Sequence, residues 1–312
     1  MQPIIDAHHH IWQPRGDSHP WLMPDAAEPF RYGDPTPIKR DYLPENHDRD
    51  ASDFNIIGHV TMEAEWNDAD PVAETRWTAT QFERRPDYLA HVARTILHRD
   101  DVAEVLAAHA RWDRTRAIRH KPTAASRPDL IEAGTPGAMT DPEWRRGFAR
   151  LPAHGLHYEL QAPWWHVTEL EELAAAHPDV PIVINHMFMP GTRDAAILAG
   201  WRAAITRAAA IPQTTIKISG MGIAGRPWQL DDHVGLIHHA IDAFTPARCM
   251  IASNFPVDGL VGSFATIMGG YLDAIADLTT AEQTAICCAT AERVYRLGDT
   301  HAADAPTPGR AS

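Results

Sequence analysis

Eight short runs rich in β-branched and apolar residues recur along this chain, each followed by polar or proline-containing residues and then by a helical pattern. They are "IIDAHHH" (4–10), "IIGHVTMEA" (56–64), "LAHVARTIL" (89–97), "TRAIRHKP" (115–122), "LHYELQA" (156–162), "PIVINHM" (181–187), "TTIKISG" (214–220) and "CMIASNFP" (249–256). Strands alternating with helices make a parallel sheet, and eight is the number at which such a sheet closes on itself around a packed interior. The fold class expected is α/β, a TIM-type (β/α)8 barrel. An open doubly wound sheet is the runner-up, but no glycine-rich turn follows the first run. At 312 residues the chain is long for an ordinary domain, yet barrels of this length fold as one unit. One barrel domain is expected over 1–297, with 13–41 as a lid loop and 298–312 as a disordered tail.

Helix starts are signalled by Asp70 before Pro71 and by capping boxes at Thr140 to Glu143, Thr168 to Glu171 and Thr279 to Glu282. Phe264, Ile267, Met268, Tyr271, Leu272 and Ile275 repeat at three- and four-residue spacing, which is one buried helix face. The formal charge of -13, from 28 basic against 41 acidic side chains, disfavours nucleic acid and anionic membranes, so a small-molecule partner is expected. Homo-oligomerisation is left open. Three cysteines, two of them adjacent, do not make a disulfide framework and suggest a reducing compartment, so a cytoplasmic location is expected. Neither a membrane span nor a signal peptide is expected, and the mature chain is expected to start at residue 1.

Catalytic groups in such barrels come from strand ends and the loops that follow. Alternation along the first strand sends His8 and His10 one way and His9 the other, so two imidazoles can converge at the barrel top. A chain with 19 histidines can also contain His-x-His without purpose. Other strand ends are polar too: Glu63 and Glu65, then Arg119, His120 and Lys121, then Glu159 and Gln161, then His186, then Lys217 and Ser219. Asn254 ends the eighth run, with Asp258 four residues later.

The motifs "IIDAHHHIW", "VTMEAEWNDADPVAETRW", "AIRHKP", "DPEWRRGFARL", "IVINHMFMP", "IKISGMG" and "RCMIASNFPVD" together resemble the amidohydrolase superfamily. The nearest branch is the amidohydrolase-related group that includes sugar-lactone and pyrone-dicarboxylate lactonases. The resemblance runs from about Ile4 to Leu297. It implies a His-x-His pair, here His8 and His10, a further histidine, here His186, and a strand-eight aspartate that activates water. This chain departs twice: "SNFP" puts Asn254 where that aspartate stands, and the fifth strand lacks a histidine. A full binuclear metal set is therefore not expected.

The resemblance then supports one divalent ion, Zn²⁺ by preference, on His8, His10 and His186 with Glu63, polarising an ester carbonyl and acidifying a bound water. Asp258 would serve as base, with Asn254 orienting water or substrate. Asp6 is either a group supporting that site or a buried structural acid. In a metal-free version the histidines polarise the carbonyl and Arg119 or Lys121 stabilises the oxyanion or holds a substrate carboxylate. Trp12, Trp21, Trp66, Trp164, Trp165 and Trp228 fall after strands and border the mouth, and with His120 and Lys121 they are expected to bind a flat, partly apolar ligand. Long loops also need small cores of their own, and tryptophans serve there equally. The proline-rich "HPWLMPDAAEPF" could close over the pocket. Lactone hydrolysis is the first functional expectation. A decarboxylase or hydratase on the same cluster is the second, and a catalytically silent binding protein, suggested by Asn254, is the third.

Overall fold

A computed structural model describes residues 1–26 and 30–298; the expected tail, apart from Gly298, lies outside the described residues. All eight expected strands form: β1 (Pro3–His9), β2 (Asn55–Met62), β3 (Tyr88–Arg94), β4 (Thr115–Arg119), β5 (His157–Leu160), β6 (Ile182–Ile184), β7 (Thr214–Ile218) and β8 (Cys249–Ile251). They lie in one sheet in sequence order, and each neighbouring pair is parallel. The seam between the last and first strands is closed by main-chain bonds, Asn254 N to His8 O and His10 N to Phe255 O, both 2.7 Å. Asp6 reinforces the seam by accepting from the Ser253 amide (2.9 Å) and hydroxyl (2.6 Å). The result is a (β/α)8 barrel of the TIM type.

The surrounding helices are α1 (Pro44–Asp50), α2 (Ala73–Phe82), α3 (Val102–Ala110), α4 (Pro142–Phe148), α5 (Val167–Ala176), α6 (Ala195–Ala209), α7 (Val234–Phe244) and α8 (Phe264–Ala274). In α8 the expected face is buried at Phe264, Ile267, Met268 and Tyr271. The Thr279–Glu282 capping box forms as expected. Two other helix starts are corrected. Asp141, not Thr140, caps α4, because Pro142 fits the first helical position and the Asp141 carboxylate accepts from the Glu143 amide. Helix α5 already begins at Val167, so Thr168 lies inside its first turn.

Every strand except the first stops at least two residues before the end of its apolar run, and the lost residues are the ones that turn toward the barrel mouth. His186, Met187, Phe188 and Met189 all take positive φ, between 53° and 56°, immediately after β6. Below the mouth the barrel encloses a fully buried pair, Lys217 Nζ to Glu159 Oε2 at 2.9 Å, with Asn185 and Tyr295 also donating to Glu159. These partners satisfy charges that would otherwise be expensive to bury. The long first loop is pinned at its base by paired Trp12 and Tyr42 main chains and by Trp21 Nε1 donating to Ala64 O at 2.8 Å. Among the described residues no helix is long and apolar enough to cross a membrane.

Candidate active site

At the C-terminal mouth, β1 delivers His8 and His10 as alternation requires, and the turn after β6 brings His186 to them. The His8 ring centroid lies 5.3 Å from that of His10 and 4.5 Å from that of His186. All three are buried, and burial pushes each imidazole well below its usual pKa, with nearby Lys217, Arg119 and Arg31 adding in the same direction. They are neutral rings at pH 7. His186 is fixed by its Nδ1, 3.0 Å from Ser219 Oγ, and by close packing on Gly220. Gly220 has φ +60°, and a Cβ there would lie 2.3 Å from the His186 ring, so only glycine fits both the backbone and the ring.

Arg119, from the end of β4, is the charged centre. Its Nε donates to Glu63 Oε1 (2.5 Å), Nη2 to Glu63 O (2.8 Å) and Nη1 to Gln161 Oε1 (3.1 Å), while Nη1 stands 3.5 Å from His8 Nε2. Burial alone would raise the Glu63 pKa, but Arg119, Arg94, Lys121 and the Glu65 amide together outweigh it and hold the carboxyl well below the usual range. Glu159 is likewise held down to about 2, burial being overcome by Lys217, His157 and Tyr295 together, while burial lowers Lys217 to about 8 against the pull of Glu159.

Asn254 sits at the mouth with φ 55°, and its Nδ2 donates to Asp258 Oδ1 at 2.6 Å. Asp258 is fully buried behind it, away from the cavity wall, and burial pushes its pKa up to about 6 despite Arg31 at 3.7 Å. Asp258, expected as the base, accepts from the Asn254 amide and does not itself line the cavity.

A cavity of about 920 Å³ opens above these groups, with His10, Arg119, Gln161, His186 and Asn254 at its base. Trp12 and Trp66 line it as expected, and so does Lys121, which is paired with Glu65. Four other residues expected at the ligand do not line this cavity. Trp164 lies over Gly200 of α6, Trp165 donates to Ala125 O at 2.9 Å, and Trp228 packs on Gly270 and His233. His120 accepts from the Leu97 amide at 3.1 Å and lies parallel to Trp144. These rings fill loop and helix contacts instead of the mouth. Trp21, expected to border the mouth, lines the cavity too, and the wall also includes Phe30, Arg31 and Arg94, which the sequence reading did not assign to the ligand. Trp21 and Phe30 sit in the flagged loop motif, but no sequence signal brought Arg31 to strand eight.

The expected ion does not fit the mouth as it stands. Imidazoles on one Zn²⁺ need nitrogens about 2.0–2.1 Å from a common centre. No three of the donors from His8, His10, His186 and Glu63 converge within 4.8 Å. Both Glu63 oxygens are already taken, by Arg119 and by the Glu65 amide, and the Arg119 cation borders His8. Among the described residues, the one His, Cys, Asp or Glu group that does converge is His9, His47 and His59, on the other face of β1. Asp6 belongs to that side, 2.9 Å from His47 Nε2.

A parallel barrel with neutral imidazoles, a fixed guanidinium and an amide around one mouth cavity defines an enzyme of the amidohydrolase type. Residues 5–297 match the amidohydrolase family model, and the chain belongs to that family. It is 31% identical over 294 residues to the uncharacterized protein y4mH of Sinorhizobium fredii, covering 94% of this chain and 98% of the other. It is 28% identical to the L-fucono-1,5-lactonase of Burkholderia multivorans, over 94% of this chain and 96% of that one. In fold it resembles a zinc-bound amidohydrolase from Burkholderia multivorans, with TM-score 0.78, 24% identity, and coverage of 94% and 99%.

Proposed function

We propose that this enzyme hydrolyses a small lactone by adding water to a carbonyl polarised by Arg119, without a metal in the step. The observation that carries the reading is the Arg119 guanidinium, immobilised by Glu63 and Gln161 beside neutral imidazoles at the base of the cavity. Arginine has five N–H donors, and three are held by close acceptors, so others remain for an oxyanion. A guanidinium fixed before substrate arrives stabilises the tetrahedral oxyanion without reorganising.

His186 is the base best suited to this role. In the tautomer in which Nδ1–H donates to Ser219 Oγ, Nε2 carries the lone pair, and burial keeps the ring unprotonated. It takes a proton as water attacks the carbonyl. When the tetrahedral intermediate collapses and the ring C–O bond breaks, the imidazolium returns that proton to the departing alkoxide, leaving a hydroxy acid. Asn254, held by Asp258, offers its Oδ1 to orient water or a substrate hydroxyl. Each basic group of the wall has a carboxylate partner: Arg94 has Asp68, Lys121 has Glu65, Arg119 has Glu63, and Arg31 lies 3.7 Å from Asp258. A neutral ring with hydroxyls therefore suits the cavity better than a dianion, and the likeness to an L-fucono-1,5-lactonase supports a sugar-acid lactone.

The test is a panel of aldonolactones and unsaturated lactones, followed by acid release with a pH indicator, on wild type and on His186→Asn. Hydrolysis by wild type, reduced in the variant by about 10²–10⁴-fold, is the expected result. If instead CO₂ is released from an unsaturated acid and no lactone is opened, the enzyme is a decarboxylase and the reading fails.

A further inference from the structure

His9 faces away from the mouth, where Asp6, His47 of α1 and His59 of β2 meet it. The three imidazoles are buried, with ring centroids 4.2 Å apart for His9 and His47, 5.0 Å for His9 and His59, and 4.9 Å for His47 and His59. Ligand nitrogens from all three lie within 4.8 Å of one another, and His9 Nε2 is already 3.2 Å from His59 Nδ1. That spacing is close to the separation of two nitrogens on one tetrahedral ion with bonds of about 2.0–2.1 Å. Tyr88 stacks on His59 and Phe264 meets His47 edge-on, walling the group from solvent.

We propose that His9, His47 and His59 bind one borderline transition-metal ion, Zn²⁺ or Co²⁺, at a structural site separate from the catalytic mouth. Two features distinguish this group from an ordinary buried cluster. First, His47 Nδ1, aimed into the group, is buried and has no hydrogen-bond partner, and it lies where its ring meets His9 and His59. Second, carboxylates stand on the outward nitrogens: Asp6 Oδ2 is 2.9 Å from His47 Nε2, and Asp87 Oδ2 is 3.5 Å from His59 Nε2. A carboxylate on the far nitrogen of a ligating imidazole fixes its tautomer and raises its basicity toward the ion. In this arrangement His47 Nδ1, His59 Nδ1 and His9 Nε2 are the ligands. An all-imidazole set suits Zn²⁺ or Co²⁺ and not Mg²⁺ or Ca²⁺. The ion ties α1 to β1 directly behind His8 and His10, so it holds the strand that carries the mouth histidines while taking no part in their chemistry.

The test measures metal, not activity. Wild type loaded with Zn²⁺ and passed through a desalting column should retain about one ion per chain. His47→Gln and His59→Gln should lose it, while His10→Gln keeps it. Should the glutamine variants misfold, wild type alone decides. X-ray absorption at the zinc edge should show a nitrogen shell at about 2.0–2.1 Å, and anomalous scattering from crystals should put the ion between β1, β2 and α1. The proposal is overturned if loaded wild type retains no stoichiometric ion, or if the ion sits at the mouth and is lost in His10→Gln. The outcome is independent of the lactonase reading, which rests on Arg119 and His186.

Discussion

Replacing Glu63 by glutamine removes the negative charge from a pair that is buried on both sides, Glu63 and Arg119 being 1% and 3% exposed in their side chains. Glutamine retains an oxygen for Arg119 Nε but leaves the guanidinium without its closest counter-charge. Breaking a buried ion pair at one partner costs about 3–5 kcal/mol, and the retained hydrogen bond places the expected loss near the lower end, about 3 kcal/mol. For a chain of this size that is a fall in Tm of roughly 6–12 °C. Turnover should fall by about tenfold to a hundredfold, less than the loss of an entire oxyanion donor, because Arg119 is still present but can tilt. The pH dependence is a further check. Glu63 has its folded pKa depressed below the unfolded value of 4.5, so its contribution is fully present above about 4.5 and is lost only as pH falls through the folded value. The Tm difference between wild type and variant should thus be constant from about pH 8 to pH 5. Calorimetry and lactone kinetics on both proteins provide the measurement. A shift under about 2 °C with unchanged turnover would show that Glu63 is a rim residue and that Arg119 is fixed by other groups.

Asp258, raised to about 6 by burial, is protonated below that pH, so turnover should climb as pH rises through about 6 and the charged carboxylate takes hold of Asn254. Asp258→Asn should abolish that rise and lower turnover by roughly tenfold, short of the hundredfold or more expected for a lost general base; a hundredfold loss would return the base role to Asp258. Trp66→Ala should raise KM with little change in Tm, whereas Trp164→Ala, at the α6 contact, should lower Tm and leave KM alone. Dialysis against a chelator strong enough to strip weakly held ions should leave kcat unchanged, and loss of activity restored by Zn²⁺ while the ion at His9, His47 and His59 is retained would contradict the metal-free step.

The strands were legible because an apolar run bounded by turn residues has few alternatives, and eight of them leave little choice of architecture. Their ends were overread because the polar mouth residues continue the apolar run in sequence while the backbone has already turned, as at His186. Arg119, Glu63, His10 and His186 could be found from strand position. The cavity tryptophans could not be sorted, since a ring that walls a pocket and one that covers Gly200 or Gly270 look alike in a loop. Arg31 beside Asp258, and His47 beside Asp6 and His9, arise from tertiary contacts over long sequence separations, which no local pattern encodes. The three-residue histidine run therefore divides its labour: its outer members face the mouth, and its middle member faces the opposite side of the strand.

The seam that joins Asp6 and His8 to Ser253 and Asn254 also has a temporal consequence. Those partners are 247 residues apart for Asp6 and Ser253, so a chain emerging from the ribosome carries β1 with an unpaired edge for nearly the whole of synthesis. Closing so long a loop is slow, and the contacts that reward it arrive only at the end. The main-chain bonds that complete the barrel, from Asn254 to His8 O and from His10 to Phe255 O, are the same ones that set the mouth histidines beside Asn254. Partly made chains, and fragments ending before residue 254, are thus open sheets that need protection from edge pairing, and catalytic competence appears all at once with closure.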